Sequence, residues 1–81
     1  MGHYVASLRE KFGQRLKAIR LARQLSQEQF AELLGISVDF LSLIERGINA
    51  PSFENLDAFA AQLGIPVCAL FEFESSEPSS T

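Results

Sequence analysis

Gln27–Arg46, QEQFAELLGISVDFLSLIER, is the stretch that decides the fold. Ser26 stands just before it as an N-cap, and Gln29 three residues on completes a capping box. Phe30, Leu33 and Leu34 recur at helical spacing and make one buried face. Ala31 lies between them, small enough for another helix to cross close by. Gly35 ends this helix where a left-handed backbone is needed, and Ile36 tucks inward from the turn. Ser37 is a second N-cap, and Leu41 and Ile44 supply the buried side of the next helix.

Two helices joined by so short a turn cannot lie near parallel. The arrangement is a helix-turn-helix, and its second helix can enter a DNA major groove. Upstream, a first helix runs from about Val5 or Ser7 to Gln24, with Leu8, Phe12, Leu16, Ile19 and Leu25 as its apolar stripe. The second and third helices are Gln27–Leu34 and Val38–Arg46, and Gly47 stops the third. After the loop Ile48-Asn49-Ala50-Pro51, Ser52 caps a fourth helix, whose buried face is Phe53, Leu56, Phe59, Ala60 and Leu63. Gly64 closes it, and Pro66 opens a short fifth helix, Pro66–Phe71. The expected fold is all-α, a compact five-helix bundle over residues 1–73, followed by a disordered acidic tail at 74–81.

FGQRLKAIRLARQLSQEQFAELLGISVDFLSLIERGINAPSFENLDAFAAQLGIPVCALF, residues 12–71, resembles the Xre/Cro/CI-type helix-turn-helix domain of phage repressors and bacterial regulators. LSQEQFAELLGIS, IERG and NAPSFENL carry the resemblance together. It implies a lambda-repressor-like fold and a transcriptional regulator acting in the cytoplasm on double-stranded DNA, repressing or activating. Restriction-modification controllers and antitoxins share the layout, so the resemblance does not select among these roles.

Composition agrees with one small domain. The chain has 81 residues, 47% of them apolar, and no apolar run of the roughly 18–20 residues that a membrane span needs. The N-terminus has no apolar segment of a secretory signal. Cys68 is alone among apolar neighbours and is expected to be reduced and packed; His3 is the only histidine. No metal cluster, phosphate loop or nucleophile–base pattern exists, so neither a cofactor nor an enzyme is expected. Net charge is −3, but unevenly placed. Residues 1–34 carry six basic and three acidic groups, net +3; residues 35–81 carry one basic and seven acidic groups, net −6. DNA affinity follows local phosphate neutralisation, so this weak field implies modest affinity and a need for dimerisation.

With Leu41 and Ile44 inward, helical geometry turns Val38, Asp39, Ser42, Leu43 and Arg46 outward. By resemblance, Val38, Asp39, Ser42 and Leu43 are the base-contact set. Asp39 can accept from a cytosine amino group, Ser42 can bond several bases, and Val38 or Leu43 can pack on thymine methyls. Asp39 equally suits the positive end of the helix macrodipole. Phe40 either packs beneath the second helix or wedges near the sugar-phosphate, with packing favoured. The resemblance implies that Gln27, Asn49 and Ser52 contact the DNA backbone, and Ser37 and Arg46 at the ends of the third helix can reach phosphates as well. The loop Ile48–Ala50 has none of the cations that many relatives place there. The resemblance also implies a partly buried ion pair between Arg20 and Glu45 that ties the first helix to the third. Arg15, Lys17 and Arg23 read as solvated surface.

A homodimer would read two half-sites about one helical turn apart. Leu70, Phe71 and Phe73 are too many apolar residues for one helical face and are the expected dimer contact, beside Ile65 and Val67. A second function class is a protein-interaction module, with Val38, Leu43 and Phe40 as an apolar face for a protein partner.

Overall fold

The computed structural model describes residues 6–73. The expected tail at 74–81, and Val5 as a helix start, lie outside the described residues. Four α-helices are present: α1 (Leu8–Ala22), α2 (Gln27–Leu34), α3 (Val38–Glu45) and α4 (Phe53–Leu63). The expected fifth helix is a 3-10 helix, Val67–Phe71, with Pro66 as its cap. No strand occurs among the described residues, and no helix there is long and apolar enough to cross a membrane.

Local chemistry sets where each helix starts. Ser7, Ser26 and Ser52 accept the backbone N–H three residues on. Glu10, Gln29 and Asn55 at those positions accept the serine N–H in return, completing three capping boxes. Ser37 caps α3 without a reciprocal partner, because Phe40 occupies the answering position.

The helix ends follow one pattern as well. Gln24, Gly35, Gly47 and Gly64 adopt positive φ angles of 61°, 78°, 77° and 69°. The next N–H then reaches back five positions: Leu25 to Arg20 (3.2 Å), Ile36 to Ala31 (3.0 Å), Ile48 to Leu43 (2.9 Å) and Ile65 to Ala60 (3.1 Å). Leu25, Ile36 and Ile65 are thereby folded against the core. This closure ends α1 at Ala22, short of the expected Gln24. A left-handed backbone costs a residue with a Cβ about 1–2 kcal/mol, and glycine's extra freedom in the unfolded chain offsets about half of that. Gln24→Gly is therefore expected to raise stability by about 0.5–1 kcal/mol, read as a higher urea midpoint at unchanged m-value. A lowered midpoint would refute the idea that the backbone at Gln24 is the strained point.

The core joins all five elements. Phe12, Leu16 and Ile19 of α1 meet Phe30, Ala31 and Leu34 of α2, Leu41 and Ile44 of α3, Phe59, Ala60 and Leu63 of α4, and Leu70. Leu16, Phe30, Leu41, Ile44, Phe59 and Leu70 are fully enclosed. Gly13 lets α1 cross the end of α3: a Cβ there would run into the Ile44 carbonyl oxygen and lie 2.9 Å from that of Glu45.

Several expectations need correction. Phe53, assigned to the buried face of α4, is 82% exposed, and Leu8 of α1 is 62% exposed. Each lies in the first turn of its helix, and the described residues leave it largely uncovered. They line an open recess of about 190 Å³ with Phe12, Asn49, Pro51 and Phe71. Cys68 is exposed rather than packed, since the 3-10 turn directs Leu70 inward and Cys68 away. Two arginines read as solvated surface are structural ties. The Arg15 Nε donates to the Ala69 carbonyl (2.9 Å), and its guanidinium lies 3.6 Å from Glu72. Arg23 donates to the Leu63 carbonyl (2.8 Å), satisfying an acceptor at the end of α4.

Candidate nucleic-acid interface

α3 is presented by a clamp beneath it. Arg20 of α1 donates through Nε to Glu45 Oε2 (2.8 Å) and through Nη2 to Glu45 Oε1 (3.1 Å), a two-pronged pair matched to carboxylate geometry. Its Nη1 donates to the Leu25 carbonyl at 3.1 Å. Gln27, the first residue of α2, donates through Nε2 to Glu45 Oε1 at 2.9 Å. One carboxylate thus joins α1, α2 and α3. The pair is removed from water, with the Glu45 side chain 3% and that of Arg20 11% exposed. Among the described residues no buried side-chain nitrogen or oxygen lacks a partner. The Arg20–Glu45 pair expected by resemblance is present, and Gln27 braces it.

The clamp and the apolar contacts of Leu41 and Ile44 fix which side of α3 faces out. Asp39 and Arg46 are exposed, while Ser42 and Leu43 are half-buried. Val38 and Phe40 are also half-buried and pack against the edge of the core. Phe40 therefore packs, and Val38 is partly committed to packing too. Arg46 is the C-cap of α3, one residue past the helix.

The remaining expected contacts flank α3. Ser37 lies at its start, where its Oγ accepts from the Phe40 N–H at 3.0 Å. In the loop after α3, the Asn49 N–H donates to the Leu43 carbonyl (3.2 Å). Ser52 caps α4, and its Oγ donates to Asn55 Oδ1 at 3.0 Å. Gln27, Ser37, Asn49 and Ser52 are therefore all at helix starts or in the loop that follows α3. In the last turn Leu70 is fully buried, so it presents nothing to a second copy and leaves the dimer set. Phe71 packs on Phe12 with ring centroids 5.2 Å apart, and Phe73 meets Phe71 edge-on at 6.1 Å.

One cation near the loop was invisible in the spacing of the sequence. Arg9 Nη1 of α1 donates to the Ile48 carbonyl across 39 positions, at 3.2 Å.

A helix-turn-helix family model, HTH_3, matches residues 16–70, which include the whole clamp and all of α3. The chain belongs to this helix-turn-helix family. The immunity repressor protein of Bacillus phage phi105 is 48% identical over 58 residues, 72% of this chain and 40% of that protein. The chain thus spans well under half of that repressor's length. Control protein C.MunI of a Mycoplasma species is 39% identical over 62 residues, 75% of this chain and 84% of that protein. Among solved structures, the restriction-modification controller protein C.AhdI from Aeromonas hydrophila matches with a TM-score of 0.72 at 40% identity, over 78% of this chain and 96% of that one.

Proposed function

We propose that this protein is a sequence-specific transcriptional regulator that binds double-stranded operator DNA as a homodimer, with α3 in the major groove. The clamp at Glu45 carries the proposal: a buried two-pronged ion pair and a glutamine brace hold in place a helix whose outer side is left for a ligand. Asp39, Ser42 and Leu43 would read bases, by accepting from a cytosine amino group, by hydroxyl hydrogen bonds and by contact with thymine methyls. Val38 would add methyl contact from the helix start. Gln27, Ser37, Arg46, Asn49 and Ser52 would set register on the phosphates. Phe71 and Phe73 would meet their counterparts in the second copy. The family match and the regulators among its relatives support a role in the cytoplasm, on the DNA of a bacterium or phage.

The test is selection of binding sites from genomic DNA by the purified protein at moderate salt, beside a Ser42→Ala, Leu43→Ala variant. Both positions are half-buried and outside the clamp, so the variant is expected to fold. The expected outcome is a palindrome with half-sites about one helical turn apart, its recovery lost or its sequence relaxed in the variant. Identical enrichment by the variant would refute base reading by α3. Absence of any enriched sequence would turn attention to a protein partner on the same face.

A further inference from the structure

We infer that Arg9, on the first turn of α1, is a phosphate-contact residue that gives the loop after α3 the positive charge its own sequence lacks. This rests on the DNA-binding function proposed above. The loop residues Ile48, Asn49, Ala50 and Pro51 carry no cation, yet Asn49 and the α4 cap Ser52 are among the DNA backbone contacts proposed above. Gly47 brings the loop against α1: a Cβ at this residue would lie 3.0 Å from the Glu10 Cα. That close approach places Arg9 beside the loop, where Nη1 donates to the Ile48 carbonyl. Arg9 also borders the recess formed with Asn49, Ala50, Pro51 and Phe53. One of its five N–H groups is used in that bond, and the side chain is exposed, so the planar head is held at the loop with donors to spare.

The position of Arg9 is otherwise unfavourable. A cation in the first turn of a helix faces the positive end of the macrodipole, where an anion is preferred. Local rules broken in this way are expected at functional sites. α4, an 11-residue helix, starts directly after the same loop, so the positive end of its dipole faces that way. A phosphate reaching this loop would meet the guanidinium of Arg9 beside Ile48 and Asn49.

The experiment measures affinity for the selected operator duplex from 0.05 to 0.3 M salt, for the wild type, Arg9→Gln and Arg9→Lys. Each neutralised phosphate contributes about 0.9 to the slope of log K against log salt. Arg9→Gln is expected to lower that slope by about 0.9 for each monomer bound and to weaken binding roughly five- to tenfold per monomer at 0.1 M salt, equally for operator and unrelated duplexes. Arg9→Lys is expected to restore the slope. If the wild type binds with a steep slope and Arg9→Gln leaves it unchanged, Arg9 is not a phosphate contact, whatever happens to affinity. If affinity falls at constant slope, Arg9 only positions the loop, and the inference is wrong. A wild type that binds no duplex overturns the proposed function, and the Arg9 assignment with it.

Discussion

Replacing Glu45 with alanine is expected to lower the stability of the domain by about 3–5 kcal/mol, a large share of the roughly 5–15 kcal/mol available to a small domain. The cost arises from what remains rather than from what is lost. Arg20 would keep its charge inside the fold with only the Leu25 carbonyl as acceptor, and Gln27 would lose the acceptor of its Nε2. Glu45→Gln would retain one acceptor oxygen but no charge, and is expected to fall between the wild type and Glu45→Ala. Replacing both partners together, as Arg20→Met with Glu45→Leu, is expected to recover much of the loss, because no unpaired charge is then enclosed. Urea unfolding of the four proteins measures this directly. A loss below about 1 kcal/mol in Glu45→Ala would place the pair with ordinary surface ion pairs and remove the clamp as the support of α3.

Gly13→Ala is expected to destabilise by at least about 2 kcal/mol, although alanine is the better helix former by about 1 kcal/mol. The obstacle is backbone. The new methyl would fall on the Ile44 and Glu45 carbonyls, which cannot rotate aside as a side chain would. α1 must then move off the end of α3, which also stretches the Arg20–Glu45 contacts. In a domain of this size the change corresponds to a fall in Tm of roughly 8–16 °C. Calorimetry of the purified variant decides it. An unchanged or raised Tm would mean that the two helices tolerate a wider crossing.

The elements were legible because their signals are local. Serine caps, their answering side chains and the closing glycines all act within a few positions, so Ser26, Gln29, Gly35 and Ser37 could be read in one pass. The Arg20–Glu45 pair came from family resemblance rather than from spacing. What periodicity could not tell is how far a neighbouring element extends. Phe53 and Leu8 have the right helical phase for burial, but the neighbouring described residues leave an open recess there instead of closing over them. Leu70 and Cys68 depended on the 3-10 twist of the last segment, which shifts the inward direction relative to an α-helix. The Arg9–Ile48 and Arg23–Leu63 bonds join positions 39 and 40 apart, and no local pattern announces such pairs. Gly13 did leave a trace: a glycine inside a helical run is costly and marks a close approach, though not which backbone comes near.

The paired start and stop signals on the four α-helices also bear on time. Each α-helix is delimited by residues within about one turn of its ends, so its boundaries do not wait for distant parts of the chain. Helical domains of this kind fold in microseconds to milliseconds. Synthesis at roughly 5–20 residues per second needs several seconds to make a stretch of 81 residues. The delay between message and competent protein is therefore set by translation. A cell using such a domain as a timer would have to tune it through synthesis and removal, since folding is too fast to contribute.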